Sequence, residues 1–331
     1  MELSWLDAGK LDNRDVDGAV AVLEAARVVD HPHTMWPTTR WFEARLHHGW
    51  DGDPPVAAVT RDARGRVVGV LQVWSSTWDN THLGGVDVTV DPAVRRQGIG
   101  RELFAAGVER IRAEGRTLLV ADCFDGTAGV PFLKAMGLDP ALESIHRRQH
   151  LIGLDSDRLD GEFDTALGHA GGYELVRIPG AVPDELLDAV AEMTAAINDA
   201  PIGDLAIEDE VFTGERIRAF EVAQAGYRRR LYRVVARERE TGTLAGHTMV
   251  YVDGRRPWYG AQCDTSVLRP HRGHRLGLLL KIDMVRWLAE QEPQVRFIDT
   301  DNAATNAHMI RVNELLGYEV VAKSIEWQRH L

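Results

Sequence analysis

Apolar residues in this chain follow two rhythms. Residues 56–60 and 67–74 are short apolar runs flanking the turn Arg61-Asp62-Ala63-Arg64-Gly65-Arg66, and residues 231–237 and 244–252 flank Glu240-Thr241-Gly242 in the same way. Both pairs read as strands joined by a turn. Elsewhere the apolar positions recur at helical spacing: Ile99, Leu103, Phe104, Val108 and Ile111 in one stretch, and Leu276, Leu280, Met284 and Leu288 in another. Leu186, Leu187, Val190 and Met193 mark one face of a helix over residues 183–198, which Pro183 suits as a start. Residues 155–172 are polar and contain Gly, and they read as a linker.

The two helical stretches belong to a repeat. Val90-Asp91-Pro92-Ala93-Val94-Arg95-Arg96-Gln97-Gly98-Ile99-Gly100 has a counterpart in Val267-Leu268-Arg269-Pro270-His271-Arg272-Gly273-His274-Arg275-Leu276-Gly277, at a constant offset of 177 residues. Each copy follows a strand-like run (residues 85–90 and 262–267) and precedes a helix. Each then continues through a second strand (117–121 and 296–300) to a helix ending on Gly137 or Gly317. From loop glycine to cap glycine is 37 residues in the first copy and 40 in the second. A strand-like tail closes each copy, at 144–151 and 319–328. The pattern predicts two tandem α/β (α+β) modules, residues 1–155 and 173–331, joined by a linker at 156–172.

Composition narrows the function. The length, 331 residues, suits two domains. Lys and Arg number 38 against 50 Asp and Glu, a net charge of −12, which argues against a nucleic-acid partner and favours a cationic one. Two cysteines, Cys123 and Cys263, exclude a disulfide scaffold. No apolar run approaches the roughly 20 residues that span a bilayer, so no membrane partner is expected. Met1-Glu2-Leu3-Ser4-Trp5 lacks the basic and apolar stretches of a signal peptide; a cytoplasmic monomer or homodimer is the expectation. His31, His33, His47 and His48 have no partners at ligand spacing, so no metal is expected.

A strand, a Gly/Arg loop and a helix together suit phosphate binding. The helix N-terminus offers unsatisfied N–H groups, and glycines let an anion approach the backbone. Arg95, Arg96 and Arg101 add charge in the first copy; Arg272, His274 and Arg275 do so in the second. Two rival motifs fail. A dinucleotide fingerprint needs a third glycine where Leu103 stands, and a nucleoside-triphosphate loop needs Gly-Lys-Ser/Thr.

The Arg-x-x-Gly-x-Gly loop between strand and amphipathic helix resembles the acyl-CoA loop of the GCN5-related N-acetyltransferases (GNAT). Arg95, Gly98 and Gly100 fill the pattern; Arg272 and Gly277 match it, with Arg275 replacing the middle glycine. The resemblance spans two tandem modules, and His-Arg-Gly-His-Arg-Leu-Gly in the second is similar to actinobacterial tandem members. It implies a mixed, splayed sheet in each module and acetyl-CoA as co-substrate. The pyrophosphate would rest on the loops, Arg95 to Arg101 (with Gln97 and Ile99) and Arg272 to Gly277 (with Gly273 and Leu276). The pantetheine would pair with the preceding strand at Val88 and Val90, or at Thr265 and Val267. A small-molecule amine would attack the thioester directly, which needs a proton acceptor for the amine and a donor for the thiolate.

The later family helix carries an Asn, then a Tyr seven residues on. Counting back from Gly317, the Asn of that pair is met by Asn306 in the second module, while Asn313 stands in place of the Tyr; in the first module Gly126 and Leu133 fall at these positions. The second module is therefore the expected seat of chemistry, with Asn302 and Asn306 toward CoA and Asn313, Asp264 and Glu208 as the catalytic candidates. Glu208 belongs to an acidic run, Asp204 to Glu210, suited to a cationic acceptor. The missing Tyr leaves a second reading, a non-catalytic acyl-CoA-binding sensor or regulatory protein.

Overall fold

Short sequence signals build the first sheet. In the computed structural model, which describes residues 2–331, β1 (Leu3–Trp5) pairs antiparallel with β2 (Val56–Arg61), preceded by α1 (Asn13–Asp30) and α2 (Thr39–His48). β2 turns into β3 (Val67–Trp74) because Asp62 Oδ1 accepts from the backbone N–H groups of Arg64 (2.9 Å) and Arg66 (3.0 Å). β4 (Leu83–Val90) follows antiparallel, then α3 (Ile99–Ala113), β5 (Leu118–Phe124) and α4 (Gly129–Ala135). Alternate residues of β2 face opposite ways. Ala57 and Val59 meet Val16, Val22, Phe42 and Leu46 of α1 and α2, while Ala58 joins Leu103, Phe104 and Ile111 of α3. With helices on both faces, β3 is buried from Val67 to Val73 and apolar except at Gln72.

After β6 (Asp139–His150), α5 (Ser156–His169) and β7 (Tyr173–Pro179), the scheme repeats. Helices α6 (Leu187–Thr194) and α7 (Gly214–Gly226) precede β8 (Arg229–Glu238), β9 (Leu244–Asp253) and β10 (Tyr259–Val267), which pair antiparallel in turn. α8 (Leu276–Gln291), β11 (Phe297–Ala303), α9 (Ala307–Leu315) and β12 (Tyr318–His330) complete the chain. Leu279, Leu280, Ile282 and Met284 of α8 are fully buried, each contributing about 1.5–3 kcal/mol.

The parallel strand pair within each unit is short. β4 pairs with β5 only over Leu83–Gly85, and β10 pairs with β11 only over Tyr259–Ala261. Beyond those points the strands diverge, while β3 and β9 hold the other edge as far as Val90 and Val267. The edge of β4 facing β5 is thus open from Val86, and that of β10 facing β11 from Gln262.

Two boundaries differ from the sequence reading. The chain forms two compact units, one running to Ser144 and including Ile202–Asp209 and Ala322–Leu331, the other made of Ile145–Pro201 and Glu210–Val321. The closing tails are exchanged. Ser324–His330 pairs antiparallel with β5 of the first unit, where Trp327 is buried. Residues 145–150 serve the second unit, where Arg148 binds Asp299 of β11 at 2.6 and 2.8 Å. The tails share one alternation, Ser144 matching Ser324 and Arg147 facing the place of Trp327, so their pattern suits either sheet. The expected linker is helical: Asp155 caps α5 through Arg158 N–H (3.0 Å), and Leu159, Ala166 and Ala170 are buried in the second core. Polar residues on its outer face hid that stripe.

Candidate active site

The two loops are pinned alike. Arg95 Nε donates to Val90 O (3.2 Å) and its Nη1 to Asp30 Oδ1 (3.0 Å). Arg272 Nε donates to Val267 O (2.9 Å) and its Nη2 to Asp199 Oδ2 (2.6 Å). Each arginine ties its loop to the strand before it and to an aspartate ending an earlier helix. Arg95 is matched by Asp30, whereas Asp199 is shared between Arg272 and Arg269, so the second loop keeps an excess positive charge. Hydrogen bonds from Arg269 and Arg272 hold the Asp199 carboxyl down at about 2.

The backbone repeats even where the glycines do not. Arg96 (φ 68°) and Gly98 (φ 90°) are left-handed in the first loop, and Gly273 (φ 89°) and Arg275 (φ 56°) in the second. These are the same two positions at the offset of 177. Arg275 therefore takes the conformation of Gly98 instead of distorting the loop. Each loop holds one left-handed arginine, at about 1–2 kcal/mol of strain, which is characteristic of ligand clamps. No side chain caps α3 or α8 among the described residues, leaving their first-turn N–H groups for an anion. Arg96, Gln97 and Arg101 are exposed around the first helix end, and Arg275 around the second. His274 is exposed too, its Nδ1 3.2 Å from His169 O. Ile99 and Leu276 are buried, so they offer backbone only, beside Gly100, Gly273 and Gly277. Val88 and Val90 pack on the first core and Val267 on the second, while Thr265 Oγ1 lies 2.7 Å from Thr248 Oγ1.

Carboxylates gather where β4 and β5 part. Asp87 on β4 accepts from Arg45 Nη2 (3.2 Å), and Arg45 Nε donates to Gln72 Oε1 (2.7 Å). Asp122 on β5 stands opposite Glu326 of β12. Asp122 is exposed to solvent, yet its surroundings push its carboxyl up to about 7. Desolvation is the main cause, the charges of Asp87 and Glu326 add to it, and Arg45 opposes it. Sequence reasoning missed all three carboxylates. The repeat held a signal for two of them: Asp87 lies 177 residues before Asp264, and Asp122 lies 180 before Asn302, the spacing of Gly137 and Gly317.

In the second unit Asp264 sits in a bulge of β10, between the paired residues Gln262 and Thr265. Burial raises its pKa, against the charges of Arg233 and Arg216. Cys263 beside it is pushed up to about 12 by burial, which leaves a thiol rather than a thiolate nucleophile. His146 of β6 has its pKa lowered, chiefly by burial, against the pull of Asp301 and Asp299. Asn306 caps α9, accepting from Met309 N–H (3.2 Å). Asn313 is fully buried, so it reaches a substrate only through Asn302, whose Oδ1 accepts from its Nδ2 (2.7 Å).

The acidic run is split. Glu210 stays in the second unit, bound to Arg216 (2.9 Å). Residues 202–209 belong to the first: Asp204 N–H donates to Ala141 O (2.8 Å), Ala206 N–H to Gln328 Oε1 (2.8 Å) and Glu208 N–H to Asn80 Oδ1 (2.7 Å). Glu208 thus belongs to the first unit, and Asp264 and Asn313 to the second; Ile207 packs on Leu83, Leu118 and Val120 of the first. Among the described residues no helix is long and apolar enough to cross a membrane.

The model of the acetyltransferase (GNAT) family matches residues 22–138. No curated protein gives a match. Among solved structures, a tandem GNAT protein from the clavulanic acid biosynthesis pathway, solved without AcCoA, is 29% identical, with a TM-score of 0.80 over 99% of this chain and 98% of that one. A GCN5-related N-acetyltransferase from Sphaerobacter thermophilus shares the fold at 15% identity, with a TM-score of 0.67 over 99% and 95% of the two chains.

Proposed function

Because this chain belongs to the acetyltransferase (GNAT) family, as a tandem N-acetyltransferase, we propose that it moves an acetyl group from acetyl-CoA to the amine of a small cationic acceptor, with the first unit as the seat of that reaction. One observation carries the reading: Asp87 and Asp122 lie on β4 and β5 beyond their last paired residues, with Glu326 across from Asp122, in the unit whose loop holds both pattern glycines. An ammonium is attracted to such a cluster. Asp122, poised near neutrality, is suited to take the proton that the amine must lose before it attacks. Nitrogen then bonds to the acyl carbon, the C–S bond breaks, and the second proton that the nitrogen sheds passes through solvent to the departing thiolate.

A second reading keeps chemistry in the second unit. Asp264, in the bulge at the position equivalent to Asp87, favours it, and the equivalence of the two loops suits acetyl-CoA binding in both units.

Thioester release over a panel of amines tests these readings. We expect turnover with cationic amines, and Asp122→Asn lowers kcat/KM by about 100-fold or more while Asp264→Asn leaves most of it. The reverse ranking moves the chemistry to the second unit. Acetyl-CoA binding without release to any amine overturns both.

A further inference from the structure

Lys281 lies in the second core, on α8, and is 2% exposed. Its Nζ donates to Asn313 Oδ1 at 2.8 Å and sits 4.7 Å from the centre of the Tyr318 ring. Asn313 Nδ2 in turn donates to Asn302 Oδ1 at 2.7 Å. An ammonium has donors only, so the Asn313 amide must present its oxygen to Lys281. Its NH2 group must then face Asn302, which must answer with its own oxygen. The Asn302 NH2 is left over and has no hydrogen-bond partner among the described residues. Asn302 is half-buried and lies beyond the last residue of β11 that pairs with β10.

We propose that Lys281 is a positioning residue that, through Asn313, fixes the Asn302 side chain with its NH2 group turned toward the splay of β10 and β11, where it donates to the acyl carbonyl oxygen of a bound thioester. This gives the two clefts opposite polarity. A carboxyl, Asp122, stands at the equivalent place in the first unit; an amide donor, Asn302, stands there in the second. Neutral amides could turn either way, and Lys281 in its charged form removes that freedom. Burial alone pushes Lys281 down to about 7, and the hydrogen bond to Asn313 favours its charged form. The ligand assignment rests on the reading that the second loop holds acetyl-CoA; the relay itself does not.

The test uses the full chain and the variant Lys281→Met, which fills the same space without a donor. Calorimetry at the second loop compares acetyl-CoA with CoA, which has no acyl oxygen. The expected result is a loss of about tenfold in acetyl-CoA affinity, the size of one net hydrogen bond, with CoA affinity unchanged. An equal loss for both ligands, or none for either, overturns the assignment of the oxygen. If the second loop binds neither ligand in the parent protein, the acetyl-CoA reading fails there, and side-chain amide NMR decides the relay. Lys281→Met should shift the Nδ2 resonances of both Asn313 and Asn302. Resonances that stay in place, in a variant that still melts cooperatively, overturn the relay. Should Lys281→Met not fold, Asn302→Asp gives the same ligand comparison, because a carboxylate still accepts from Asn313 but cannot donate to the thioester.

Discussion

Glu326 stands directly across from Asp122 in the antiparallel pair of β12 and β5, two carboxylates meeting from distant parts of the chain. Like charges in that position repel, and proximity to Asp87 adds to the effect. A sheet built only for stability avoids such a pair. Here it lies where β4 and β5 separate, and it raises the pKa of a group suited to proton transfer.

The pH profile should report that pair. Only ionised Asp122 accepts a proton, so kcat/KM should rise with pH and level off above about 7. Glu326→Gln removes one repulsion and should move this acid limb down by about half a pH unit. Stability should vary in the opposite sense. The folded carboxyl holds its proton more tightly than an unfolded one at 3.8, so this stabilisation is complete below pH 3.8 and is lost as pH rises through about 7. Asp122→Asn should flatten that part of the melting-temperature profile. An acid limb that stays put in Glu326→Gln refutes the coupling.

The exchanged tail makes a separate prediction. Trp327 is 4% exposed and packs in the first core with Phe104, Leu119 and Leu133. Trp327→Ala should cost about 3–5 kcal/mol. The damage should appear in residues up to 144, measured as faster proteolysis or hydrogen exchange of β3, β4 and β5. Exchange protection of β8 and β9 should persist. Equal loosening of both sets of strands would contradict the assignment of residues 322–331 to the first unit.

Much of this architecture is legible in the sequence because it rests on local rules. The 177-residue offset of Arg95 and Arg272 marks both loops, and the apolar runs mark β2, β3, β8 and β9. What escapes is what local rules leave open. Residues 144–151 and 319–328 fit either sheet, since alternation specifies a face but not a partner. The stripe of Leu159, Phe163 and Ala166 in α5 lies among polar residues. Asp87 and Asp122 pass for ordinary polar positions on strands until the splay leaves them at an opening. Lys281 is concealed by its neighbours: a lysine on a helix normally points to water, and only the fold shows that this one is buried.

The shared geometry of the loops predicts that their central residues are exchangeable. Gly98 has φ of 90° and nothing within 4 Å of the place a Cβ would occupy, while Arg275 already lives at φ 56° with its side chain exposed. Gly98→Arg should therefore fold, at a cost of about 1 kcal/mol from left-handed strain, and keep acetyl-CoA affinity at the first loop within a few-fold. Arg275→Gly relieves that strain but frees the unfolded chain, so its stability should change by less than about 1 kcal/mol. It also removes an exposed cation, and acetyl-CoA affinity at the second loop should fall by about twofold to fivefold, more at low salt than at high. Calorimetry at two ionic strengths separates the terms: a charge contribution fades with salt, whereas a distorted loop binds poorly at both. Gly98→Arg that melts normally but binds no acetyl-CoA at the first loop would show that the two backbones, alike in φ, do not present their N–H groups alike.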